Sequence, residues 1–207
     1  MLKKLLYLFP LLFLSVTCLG QESEKLGTGE AQAVLVPGSG TYSRKISTQN
    51  SHSQVFFDQG LRLAWGFYFP ESIASYQEAS RMDPNHPMPF WGMAHAMGPN
   101  PNSRYARMPD DPKGEGFKAI NKALDRINRA TPLEAKLIRA LYVLYDSKTI
   151  PDKDKRDHAY LSAMRSLNQE YPDDPDIAAL YAASYMSIRR WDYWDKEGNP
   201  KDETIPV

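Results

Sequence analysis

The sequence predicts an all-α protein built as a stack of antiparallel helical hairpins, and three observations carry that prediction. In residues 56–84, Phe56, Gly60 and Leu63 fall at i, i+4 and i+7 and share one helix face, and Ser72, Tyr76 and Ala79 repeat the spacing in a second helix. Small residues at Gly60, Ser72 and Ala79 let the two backbones approach, while Phe56, Leu63 and Tyr76 fill the space between them. The pattern then recurs: Ala94 stands 34 residues after Gly60, a spacing typical of stacked hairpins. The breaks recur in phase as well, since Ala94 follows Pro84 by ten residues and Ala182 follows Pro172 by ten.

Taken in order, residues 1–20 read as an export signal. Lys3 and Lys4 precede an apolar run from Leu5 to Leu14, and Cys18-Leu-Gly20 is a small-x-small ending before Gln21. That run is too short for an ordinary membrane span, which takes about 20 residues. Cys18 also allows a lipoprotein anchor, although Thr17 stands where Ala or Gly is expected. Residues 21–51, rich in Ser, Gly, Thr and Gln with Pro37-Gly-Ser-Gly40 at their centre, predict a flexible tether, with Ala33–Val36 as a weak strand at most. The first hairpin follows, with Pro70 at the start of its second helix, where a missing amide hydrogen costs nothing. Asp83–Pro87 closes it. Phe90, Met93, Ala94 and Met97 open a second unit, which the proline-rich stretch 98–112 interrupts. Helical spacing resumes near Lys113 and runs to about Arg129. Thr131-Pro-Leu-Glu134 is a capping box that starts the next helix. Further helices are expected over roughly 154–170 and from Ile177 onward, so the repeats occupy 52–194. Residues 195–207 are a polar tail without the partner helix that 175–188 calls for, which suggests a truncated array with an uncovered end around Arg189–Trp194.

Composition narrows the function. The formal net charge is zero, and an acidic excess of two remains once the leader takes away Lys3 and Lys4, so neither nucleic acid nor an anionic membrane is favoured as a partner. The single cysteine, Cys18, lies in the leader, so the exported domain holds together without an internal disulfide.

The order of large and small residues resembles the tetratricopeptide repeat (TPR) family, carried by Phe56, Gly60, Leu63, Ser72, Tyr76, Ala79 and Pro84. Gln59 departs where the family has Leu, and Leu63 where it has Tyr. From about Ser53 to Trp194 the chain is similar to exported bacterial TPR proteins of unassigned biochemistry, which look longer than this chain. The resemblance implies a right-handed superhelical α-solenoid, exported to the periplasm or beyond, or to the outer membrane if Cys18 is lipidated. It implies no reaction.

The resemblance also places the first helix of each pair on a concave groove. Phe57, Leu61, Ala64 and Trp65 lie off the hairpin contact face, and Trp91, His95 and Gly98 follow the same offset, giving an aromatic wall for an extended apolar peptide. Asn100, Asn102 and Arg104 lie in the proline-rich loop beside it, and either stiffen its turns or close over a ligand. The main reading is a protein–protein interaction or scaffold module that binds a peptide or protein segment. The alternative is a small-ligand or metal site at His95. Metal is the weaker form, because no HxxxH or HxH spacing occurs and His52, His86 and His158 are scattered. No nucleophile motif or phosphate loop appears, so no catalytic residue and no cofactor are assigned and an enzyme ranks last.

Overall fold

A computed structural model describes residues 29–98, 111–189 and 191–201. It is all-α. Among the described residues seven α-helices run in chain order: α1 (Ser51–Trp65), α2 (Phe69–Met82), α3 (Met88–Met97), α4 (Pro112–Leu124), α5 (Pro132–Tyr145), α6 (Lys153–Glu170) and α7 (Pro175–Arg189). Each packs against its neighbour in sequence, and α3 also touches both α1 and α5. Among the described residues no helix is long and apolar enough to cross a membrane. The expected signal segment, Cys18 and most of the proline-rich loop, with Asn100, Asn102 and Arg104, lie outside the described residues.

Local chemistry explains the boundaries. Asn50 caps α1 by accepting from the Ser53 amide, Asp152 caps α6 through the Lys155 amide, and Thr131 and Glu134 form the reciprocal capping box expected for α5. The helix expected to reach Arg129 instead stops at Leu124 and gives way to a short 3₁₀ turn over Ile127–Arg129. At the end of α1, Phe67 adopts a positive φ of 62°, where glycine is usual, and Tyr68 N–H closes the helix on the Leu63 carbonyl at 2.9 Å.

The core is one continuous cluster. Tyr76, fully buried, sits between α1 and α3. A Cβ on Gly60 would lie 2.7 Å from its ring, and Gly92 presses against the same ring from α3. Ser72 Oγ donates to the Gly60 carbonyl at 2.7 Å and Ser53 Oγ to the Ala79 carbonyl at 2.9 Å, so the small residues bring the backbones close and also bond across the gap.

Two segments depart from expectation. The tether predicted over 21–51 is, from residue 30 onward, an extended strap held against the helices by many side chains. It forms no strand at Ala33–Val36. The expected polar tail turns back as well: Asp195 N–H donates to the Asn199 carbonyl, Lys201 N–H to the Tyr193 carbonyl, and Tyr185 Oη to the Lys201 carbonyl. Trp191, at a φ of 71°, and Trp194 remain exposed beside this turn.

Candidate functional site

The expected aromatic wall is mostly core. Phe57, Leu61 and Trp91 are 0%, 1% and 2% exposed, so no partner reaches them. The physical reason is cover on more sides than one hairpin supplies: Phe57 faces Tyr76 of α2 within its own hairpin, and α3 is covered by α1 and α5 as well. Trp91 Nε1 donates to the Leu137 carbonyl of α5 at 3.2 Å, and Phe57 packs on Tyr76 with ring centres 5.4 Å apart.

Trp65, Trp91 and His95 do come together. The His95 ring stacks on Trp91 at 5.5 Å, within 5° of parallel, and meets Trp65 at 5.9 Å. Its Nδ1 is buried and has no hydrogen-bond partner. Burial pushes its pKa down to about 4 against a weaker opposing pull from Asp176, so the ring is neutral at ordinary pH. Beyond it, His95, Gly98, Leu141, Leu144, Asp157, Tyr160, Leu180 and Ser184 line a cavity of about 30 Å³ between α3, α5, α6 and α7. That is room for roughly one water. Among the described residues no group of three or more His, Cys, Asp or Glu is placed to hold a metal ion.

The second feature is the seat of the strap, which was not anticipated. Gln59, on the buried face of α1 and only 1% exposed, spans two strap residues: its Oε1 accepts from Val36 N–H at 2.8 Å and its Nε2 donates to the Val34 carbonyl at 2.9 Å. Five residues earlier on α1, Gln54 repeats the device, accepting from Ile46 N–H at 3.0 Å and donating to the Arg44 carbonyl at 2.9 Å. A carboxamide presents a donor nitrogen and an acceptor oxygen side by side, the pair that a neighbouring β-strand presents to an extended chain, and its second N–H is spent on Ser75 by Gln59 and on Asp58 by Gln54. Asp58 accepts from Arg44 N–H and Ser43 Oγ, Arg62 donates to the Tyr42 carbonyl at 2.7 Å, Glu78 accepts from Gln32 N–H and Glu134 from Ser47 N–H. Apart from the Ser43 hydroxyl these are contacts to the strap backbone, made by side chains from α1, α2 and α5.

Side-chain recognition is concentrated at Tyr42 and Arg44. The Arg44 guanidinium donates to both oxygens of Asp174, at 2.8 and 3.0 Å, and to Asp176 at 2.7 Å, and Tyr42 Oη donates to the same Asp176 oxygen at 2.9 Å. Asp174 is held by the start of α7, where Asp176 and Ile177 amides donate to it. Burial works against the Arg44 charge, but the bonds to Asp174 and Asp176 outweigh it and raise its pKa. For Asp174 burial pulls upward, and the bonds from Arg44 and the α7 amides bring it below the usual carboxylate value. Burial and the Asp176 carboxylate push the Tyr42 phenol up to about 12.

One cluster along the strap has the residue types of a hydrolytic site. Ser47 Oγ lies 2.9 Å from His86 Nε2 and donates to Glu134 at 2.7 Å. His86 Nδ1 accepts from Met88 N–H, so the ring proton sits on Nε2 and points at the serine. A ring that donates to the hydroxyl cannot take its proton, and the trio ties the strap to α5 and the α2–α3 turn.

Gln59 was the one signal in the sequence: an amide where the repeat pattern has Leu, on the face that should be buried. Comparison of the chain with protein-family models, with curated proteins and with solved structures gives no match.

Proposed function

We propose that the chain is an exported helical interaction module of the tetratricopeptide kind, a right-handed superhelical stack that binds an extended stretch of another polypeptide. One observation supports this reading above the others: residues 30–50 of the chain itself lie extended across α1, α2, α5 and α7 and are gripped mainly by their backbone. Main-chain grips accept many sequences, and the few side-chain pockets between them set preference. Each such bond contributes about 1 kcal/mol net, so a segment held this way is exchangeable. The recognition elements are therefore Gln54, Asp58, Gln59 and Arg62 rather than the buried aromatics.

A small ligand at His95 is the second reading, motivated by the unpartnered Nδ1. It ranks lower because the cavity beside it has the size of a water molecule.

The test is an array of short peptides from exported proteins probed with labelled full-length chain. A subset is expected to be retained, and to be lost when Gln54→Ala and Asp58→Ala are combined while circular dichroism stays unchanged. If neither the wild type nor a chain with its strap loosened from the strap's own side by Arg44→Ala retains any peptide above background, the seat serves the strap alone and the reading falls.

A further inference from the structure

We infer that the strap occupies the module's own peptide site, and that Asp174 and Asp176 are its specificity pocket, selecting an extended segment with an arginine two residues after a tyrosine. This rests on the peptide-binding reading above.

Among the described residues, Arg44 is the cation that answers both carboxylates of the pocket. Asp176 has a side chain 6% exposed and Asp174 one 20% exposed, and Arg44 is their ion-pair partner, 11% exposed and 130 residues away in sequence. A guanidinium is the group that answers two adjacent carboxylates, because its fork donates to both at once, whereas an ammonium ion is a single point charge. Asp176 has a second acceptor role, toward the Tyr42 phenol, so an aromatic hydroxyl two residues before the arginine is read by the same carboxylate. Asp58 fixes the register between them through Ser43 Oγ and the Arg44 amide.

The strap joins the core through Ile46, with Ala33 packed against its edge, and is otherwise superficial. Of its apolar side chains only Ile46 is fully buried, while Val34, Leu35, Val36 and Tyr42 are 76%, 53%, 44% and 43% exposed. An open trough of about 710 Å³ runs beside it, lined by Tyr42, Arg44, Leu133, Tyr171, Asp174 and Asp176. A second chain can thus approach the two carboxylates from the trough before the strap has left, and exchange bond for bond. The partner fitting the site is a polypeptide segment of Tyr-x-Arg type with no acidic residue near the arginine, since Asp58, Asp173, Asp174 and Asp176 would repel one.

The experiment uses the full-length chain and a labelled peptide of residues 38–48, read by fluorescence anisotropy. Wild type is expected to bind it weakly, because its own strap competes. Arg44→Ala, which vacates the pocket, is expected to bind about ten-fold tighter, and the same peptide with alanine in place of arginine to lose about that factor. Adding Asp174→Asn and Asp176→Asn to Arg44→Ala should remove the gain. Equal binding of the arginine and alanine peptides overturns the specificity while leaving an extended-peptide module intact; no binding of either, alongside a positive array, overturns the strap's seat as the site. If Arg44→Ala does not fold, amide exchange on wild type decides: excess peptide should speed exchange at Arg44 and Ile46, and unchanged rates overturn the inference. A peptide-independent dimer of Arg44→Ala by light scattering would mean that copies trade straps and would also overturn it.

Discussion

The strap seat and the His95 end bury comparable chemistry in opposite ways. At the seat nearly every polar group meets a partner: amide against carboxamide, guanidinium against two carboxylates. At the His95 end, two tryptophans enclose a neutral imidazole whose Nδ1 meets none. A fully paired polar contact costs little to break in water, because water replaces each bond, whereas an apolar contact loses its burial outright. The His95 end therefore belongs to what keeps the protein folded, and the strap seat to what it can exchange.

The largest expected effects test the first half of that statement. Trp91→Ala removes a buried indole and its bond to Leu137, at a cost of about 3–5 kcal/mol, a large share of an ordinary domain's stability. Trp65→Ala, at a half-buried position, should cost clearly less. Denaturant melts in which the two variants behave alike would mean that the stack around His95 is not a core element. Gly60→Leu belongs in the same class, since even its Cβ would stand 2.7 Å from the Tyr76 ring, whereas the Cβ of a residue at Gly98 would stand 3.1 Å from the Tyr145 hydroxyl. Gly60→Leu should be the more damaging of the two, and the reverse order in melts would put the tight contact at the wrong end of the helices.

Acidification separates the two regions next. His95 titrates at about 4 in the folded chain against 6.5 in its ordinary state, so as pH falls below 6.5 the unfolded chain takes up the proton first. Stability should drop between pH 6.5 and 4, by on the order of 2–3 kcal/mol from this group. His86, also shifted down chiefly by burial, adds in the same direction. Asp174 behaves otherwise: its folded pKa is depressed, so its contribution is present above the usual carboxylate value and is lost only at lower pH. His95→Phe should flatten part of the upper window and leave the lower one alone. A variant with the wild-type pH profile would show that the imidazole is hydrated rather than buried.

How much of this was legible follows from the kind of pattern each region uses. The helices were, because apolar residues repeat at helical spacing and because Pro70 and the Thr131–Glu134 box mark where helices begin. The meeting of Trp65, Trp91 and His95 was legible too, since fixed offsets place them on neighbouring helices. Their burial was not, because a spacing rule says which residues share a face and not what covers it. The strap could not be read, since a backbone gripped by distant side chains needs no periodic sequence of its own. Arg44 and Asp174 carry no mark of each other. The acids with little exposure, Asp58, Glu78, Glu134 and Asp176, make sense only once the segment that they hold is in place.

The smallest stability effect is expected at Gln59, and it gives the sharpest view of the seat. Gln59→Leu installs the residue that the repeat pattern favours, at a site that is 1% exposed between α1 and α2, so the new side chain gains burial while losing the bonds to Val34, Val36 and Ser75. The three bonds are worth about 3 kcal/mol together and the buried leucine returns about 2, so the melt should fall by only about 1 kcal/mol. Exchange should report what the melt conceals. The Val36 amide loses its acceptor and should exchange about ten-fold faster or more, while Ile46, held by Gln54 ten residues along the strap, should keep its wild-type rate. If both amides accelerate together, the strap leaves as one unit and the grips are cooperative. If neither does, the Gln59 carboxamide is not what holds Val36, and the comparison between an exchangeable seat and a fixed core loses its clearest residue.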